Sequence, residues 1–252
     1  MHRLFTFYCA LLISSIHTAV LADATQPHVV LCTFYTKSHE QLATEWLLPS
    51  IQDTDLEIII GYGEQYCSSA TYLHTGWTKT TKNKVEFIIE TIQNNMGNIV
   101  IFADADIVLF RPIKDEIVHF LKTKEFVVQI DTPDKKLCSG FFALIANEKT
   151  LNLWQAIREY MQESGVSDQG ALNHFLSIHK NQFDIEWDFL PSTYFGGGTF
   201  KKRLWKPGKH THIPQNPAMF HANWTAYNNK VTLLSHVKTV VEKREALPGA
   251  LF

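Results

Sequence analysis

The chain has 252 residues, 23 Lys and Arg against 25 Asp and Glu, and a net charge of -2 with histidine neutral. A hydrophobic share of 45% with only 19% charged residues excludes a disordered chain. The near balance of charge leaves no electrostatic footprint for nucleic acid or an anionic membrane surface, although a local site for a small anion stays open.

The first segment, MHRLFTFYCALLISSIHTAVLADA, has a short basic start, an apolar stretch from Leu4 to Ile16 and a Val20-Leu21-Ala22 ending. These are the parts of a secretory signal peptide over 1–22, cleaved after Ala22. The apolar stretch is shorter than the ~20 residues of a membrane-spanning helix, and an uncleaved signal anchor is the lesser alternative. Of the four cysteines, Cys9 lies in this leader, and Cys32, Cys67 and Cys138 show no CxxC spacing for zinc or redox chemistry.

Beyond the leader, HVVLCTFY (28–35) reads as a buried strand. Ser38 with Gln41 predicts a capping box opening a helix that ends near Pro49. LEIIIGYG (56–63) is the next strand. KNKVEFIIETIQNNMG (82–97) places Val85, Ile88, Ile89 and Ile92 on one helical face, with Gly97 as the stop. IVIFADAD follows as a strand, then EFVVQID (125–131) and CSGFFALIA (138–146). Asn147 caps a helix through Met161, and Ser167 caps one over DQGALNHFL. FDIEWDFLP, the Gly196-Gly197-Gly198 turn and AMFHANWT are short and irregular. Strands that alternate with helices and read as apolar runs predict an α/β fold, a mostly parallel sheet flanked by helices. No repeat or linker divides the chain, so a single domain over 28–245 is expected.

IVIFADADIVLFRPI (99–113) poses the main chemical question, because two carboxylates interrupt an apolar run. The C-terminal end of a parallel strand is where ligands bind in open α/β sheets. Alternation along an extended backbone puts Asp104 and Asp106 on one side, with Ala105 pointing away. Carboxylates that close repel unless a cation neutralises them. Mg²⁺ or Mn²⁺ shared with a ligand phosphate meets that need.

FADADIVLFRPI, followed in order by CSGFFALIAN, SDQGALNHF and FHANW, resembles the nucleotide-diphospho-sugar transferases of the GT-A glycosyltransferase fold, from about His28 to about Trp224. The resemblance implies a metal-dependent enzyme that takes a sugar from a nucleotide diphosphate donor to an acceptor hydroxyl on a glycan, protein or lipid. It implies that Asp104 lies near the ribose and metal, that Asp106 holds the metal, and that His221 completes its shell. An imidazole among the ligands suits Mn²⁺ better than Mg²⁺. It places Gly140 against the sugar and acceptor, and Asp168 and Gln169 near the transferred sugar, where Asp168 otherwise reads as a complement to the helix N-terminus; Asp131, at the end of its own strand, is a further candidate for a sugar hydroxyl. Lys84 is read as a cation for the diphosphate or, equally, as an exposed helix lysine. Tyr35 and Thr36 close the first strand, where the base would pack, with Tyr35 either stacking on it or serving as a plain core aromatic.

Asn223-Trp224-Thr225 has the form of a glycosylation sequon but falls inside a site motif, so it is read as accidental. Lys201, Lys202, Arg203, Lys206 and Lys209 form one basic cluster, either a solvated loop or a lid over the diphosphate. Two other functions remain open at this stage. Asp104 and Asp106 also fit an aspartate-nucleophile phosphohydrolase of the haloacid dehalogenase type, although no second acidic cluster follows. A non-catalytic nucleotide-sugar-binding protein of the same fold is the other. The leader directs the chain to the secretory pathway, for export or for work in a Golgi-like lumen, with membrane attachment only if the leader is an uncleaved anchor.

Overall fold

The computed structural model describes residues 27–53, 55–67, 76–177, 179–198 and 204–246. The leader lies outside these, as do Lys201, Lys202 and Arg203 of the basic cluster. Lys206 and Lys209 are exposed. Among the described residues no helix is long and apolar enough to cross a membrane.

The frame is a six-stranded sheet in the order β2-β1-β3-β6-β5-β9. Its strands are β1 (Val29–Thr36), β2 (Glu57–Gly63), β3 (Ile99–Ala103), β5 (Phe126–Ile130), β6 (Leu137–Ile145) and β9 (Trp187–Phe189). β2, β1 and β3 run parallel, β6 pairs antiparallel with β3 and β5, and β9 is parallel to β5. A second sheet, β10-β11-β4, joins β4 (Ile107–Leu109), β10 (Tyr194–Gly196) and β11 (Met219–His221). β7 (Leu176–Ser177) and β8 (Lys180–Asn181) make a short hairpin.

The predicted helix after β1 is an irregular run. A 3-10 turn (Lys37–His39) passes into α1 (Glu40–Leu42), a π-helical turn (Ala43–Leu47) and α2 (Leu48–Ser50), with Pro49 inside the first turn of α2. Ser38 does not cap it. Its hydroxyl lies 3.3 Å from Thr36 Oγ1 and 3.1 Å from His39 Nδ1, both local competitors for a capping bond.

The next helix, α3 (Trp77–Asn94), begins earlier than its apolar stripe suggested, and a short α4 (Lys114–Phe120) follows β4. α5 (Glu148–Ser164) opens with the Asn147 capping box, and α6 (Asp168–Phe175) opens with Ser167 Oγ accepting from Gly170 N–H. α7 (Tyr227–Glu245) ends the described chain.

One apolar cluster packs α3, α5 and α6 on one face of the large sheet, and another fills the opposite face under α4 and the small sheet. In the first, the fully buried Phe142 ring stacks against Phe102, Phe126 and Trp154 at centroid distances of 5.3, 5.4 and 4.9 Å. Cys32, Cys67 and Cys138 are free and buried, and burial pushes the Cys32 and Cys138 thiols well up.

Phe142→Ala removes the ring at the centre of this stack, and urea denaturation is expected to show a loss of about 3–5 kcal/mol. Ile60→Ala, on the exposed side of edge strand β2, is expected to stay within about 0.5 kcal/mol.

Candidate active site

β3 ends at Ala103, so Asp104 and Asp106 sit on a turn between β3 and β4 and not on one extended strand. They converge nevertheless. Ala105 is buried and packs in the cluster that holds Val108 and Phe220. Asp104 N–H donates to Gly140 O at 2.7 Å, and Asp106 O accepts from Ala222 N–H at 2.9 Å. These two backbone bonds tie the turn to β6 on one side and to the residue after β11 on the other.

The β4–β11 pairing sets His221 opposite Ile107. His221 Nε2 then lies 3.3 Å from Asp106 Oδ1 and 3.9 Å from Asp104 Oδ2. One ligand atom from each of the three residues falls within 4.8 Å of the others. Gly140 makes this possible, because a Cβ there would meet His221 Cε1 at 2.3 Å and Asp104 Oδ2 at 2.6 Å. Its lack of a side chain serves the closeness of two groups in the site.

Lys84 is buried, which removes the exposed-lysine reading. Its Nζ contacts Asp104 Oδ1 at 2.9 Å and Asp168 Oδ2 at 3.0 Å, and donates to Ser139 O at 3.1 Å. Burial by itself would lower the Lys84 pKa; Asp104 and Asp168 more than offset it and hold the ammonium charged. A second lysine was not singled out in the sequence. Lys230, near the start of α7, pairs with Asp106 Oδ2 and donates to Ala222 O at 3.2 Å. Burial alone would raise the Asp106 pKa, but the Lys230 ammonium, and then the adjacent His221 ring, hold that carboxyl well below the usual range. A lysine beyond an irregular loop carries no local signal, since only the return of α7 brings it to Asp106.

Asp131, Gln169, Asn223 and Trp224 form an adjoining network. Asp131 accepts from Gln169 Nε2 at 2.9 Å, from Asn223 Nδ2 at 2.9 Å, and from Trp224 Nε1 at 3.1 Å to each oxygen. Burial pushes the Asp131 carboxyl up, against these donors. Gln169 Oε1 accepts from Ser139 N–H at 3.4 Å. Trp224 takes a left-handed backbone with φ 51°, which is costly for an aromatic residue, as its indole engages Asp131. The Asn223 amide is buried in the same contact, in keeping with an accidental sequon.

Tyr35 and Thr36 lie at the C-terminal end of β1, and Tyr35 packs against the cluster that holds Ala105 of the turn. Tyr35 is half-buried and meets Tyr62 edge-on at 5.5 Å, and Thr36 is buried. Nearby, burial and then the Lys230 charge lower the pKa of His39, with Asp106 and Asp104 opposing.

Among solved structures, the fold is similar to a glycosyltransferase involved in the glycosylation of the major capsid of PBCV-1. The TM-score is 0.57 at 8% identity, covering 84% of this chain and all of that one. The WbbM bifunctional glycosyltransferase matches with a TM-score of 0.51 at 10% identity over 89% of this chain and 53% of that one. At these identities the likeness is one of fold. An uncharacterised Arabidopsis thaliana protein is 26% identical over 137 residues, 54% of this chain, and the match spans only 40% of that relative's length. The profile of the nucleotide-diphospho-sugar transferases matches residues 24–234. With that match over most of its length, on a GT-A fold, this chain belongs to the nucleotide-diphospho-sugar transferase family.

Proposed function

We propose that the chain is a divalent-cation-dependent glycosyltransferase that moves a sugar from a nucleotide diphosphate donor to an acceptor hydroxyl. The convergence of Asp104, Asp106 and His221 carries this reading. Two carboxylates and an imidazole nitrogen, with room kept by Gly140, fit Mn²⁺ first and Mg²⁺ second. When bound, such an ion supplies Lewis-acid stabilisation of the diphosphate leaving group.

The protein's own groups take separate tasks in this proposal. Lys84 uses its ammonium on Asp104, Asp168 and Ser139 O, so it orders the carboxylates and is not free for a phosphate. Among the described residues, Lys230 has Asp106 and one carbonyl as partners. Once Asp106 is committed to a metal, the donor phosphates become an alternative partner for that ammonium, adding preorganised positive charge at the leaving group. Asp168 and Gln169 flank the transferred sugar. Both Asp131 oxygens already accept from protein donors, so Asp131 acts by aiming the Gln169 amide. Tyr35 and Thr36 border the base. The acceptor hydroxyl belongs to a glycan, protein or lipid, and the leader places the work in the secretory lumen.

Thermal shift with UDP- and GDP-sugars, with and without Mn²⁺, tests the core of the proposal. A donor stabilisation that needs the metal and disappears in Asp106→Asn is expected; donor binding indifferent to metal would overturn it. Release of inorganic phosphate without a nucleoside diphosphate would favour the phosphohydrolase instead.

The two lysines should separate in experiment. Lys84→Met leaves the buried Asp168 and the half-buried Asp104 uncompensated and is expected to cost about 3–5 kcal/mol in urea denaturation. Lys230→Met is expected to tighten Mn²⁺ alone, by removing a competing cation from Asp106. It should also weaken nucleotide diphosphate binding by about 1.5–3 kcal/mol, the range for a hydrogen bond to a charged group. Isothermal titration reads both effects.

A further inference from the structure

We infer that Gln129 is a positioning residue that holds His221 in the one imidazole tautomer able to ligate a metal. This rests on the proposed metal role of Asp104, Asp106 and His221.

Gln129 lies on β5, where the pairing with β6 shifts register between Val128 and Ile130, and it is 0% exposed. An amide buried between apolar strand residues is costly unless it is bonded. Gln129 Oε1 sits 3.0 Å from His221 Nδ1. An amide oxygen has no proton to give, so Nδ1–H is the donor and the neutral ring keeps its lone pair on Nε2. That nitrogen is the one turned to Asp106 Oδ1 and Asp104 Oδ2.

Three lone-pair-bearing atoms therefore face one another, an arrangement that asks for a cation between them. The opposite tautomer would turn Nε2–H toward Asp106 and make His221 a hydrogen-bond donor to the carboxylate in place of a ligand. Oxygen and nitrogen of an amide are assigned from their surroundings. Gln129 Nε2 has no hydrogen-bond partner among the described residues, so the amide is oriented by its Oε1 contact with His221 Nδ1 alone. Cys138 Sγ also lies near Nδ1, at 3.6 Å, but a thiol is the weaker partner.

The test is Mn²⁺ titration of the donor-free full chain by calorimetry, together with ¹⁵N NMR of the His221 ring in metal-free protein. Gln129→Met keeps the length and removes the acceptor. It is expected to weaken Mn²⁺ by about 10–100-fold, the usual effect of losing a partner that orients a ligand. Gln129→Glu keeps an acceptor facing Nδ1 and should bind at least as tightly as wild type, and it serves as the probe if Gln129→Met fails to fold. The wild-type ring should show Nδ1–H, and Gln129→Met should lose that preference. Unchanged affinity in Gln129→Met, weakened binding in Gln129→Glu, an Nε2–H ring in wild type, or a loss caused by Cys138→Ala in place of Gln129→Met would overturn the inference. Wild-type protein that binds no Mn²⁺ would instead refute the metal site, and the metal-free NMR would still decide what Gln129 does.

Discussion

Three carboxylates drawn together at the end of a sheet would drive one another apart, and the site depends on how that repulsion is answered. Asp104 and Asp168 share the Lys84 ammonium, while Asp106 holds Lys230. Each lysine loses hydration on burial and regains it as Coulomb attraction, which is why both ends of each pair must be present together. Two ammonium groups against three carboxylates leave the cluster short of one positive charge. That deficit faces the position where Nε2 of His221 completes a set of donor atoms.

The sheet serves this cluster by joining two hydrogen-bonded frames. β3 and β6 hold Asp104 against Gly140, and β4 with β11 holds Asp106 against His221. Neither frame alone brings the carboxylates and the imidazole together. The turn between β3 and β4 is common to both, and the buried Ala105 anchors it. Beside it, Asp131 ties Gln169 to Asn223 and Trp224, so the loop after β11 and the start of α6 share one anchor. Preorganisation of this kind means that little rearrangement is needed before charge develops on a leaving group.

Much of the frame was legible in the residues. Apolar runs marked β1, β2, β3, β5 and β6, and the Asn147 and Ser167 caps marked two helices, because burial and capping are written locally. The Ser38 capping box misled for an equally local reason, since Thr36 and His39 compete for that hydroxyl. β9, β10 and β11 left little trace. Three-residue strands carry no period, and their partners are far away in the chain.

For the site, the sequence by itself determined the chemical types: a DxD at a strand end, a late histidine and an Asp-Gln pair at a helix start. Tertiary structure decided which groups neutralise and aim them. Lys230 meets Asp106 across 124 residues, and Gln129 meets His221 across 92. Lys84 turned from a surface possibility into a buried counter-charge only because α3 packs that face on the sheet. The reason is physical. A side chain's identity sets what it is able to donate, accept or neutralise, but the partner is chosen by long-range strand and helix packing, and no local pattern encodes that.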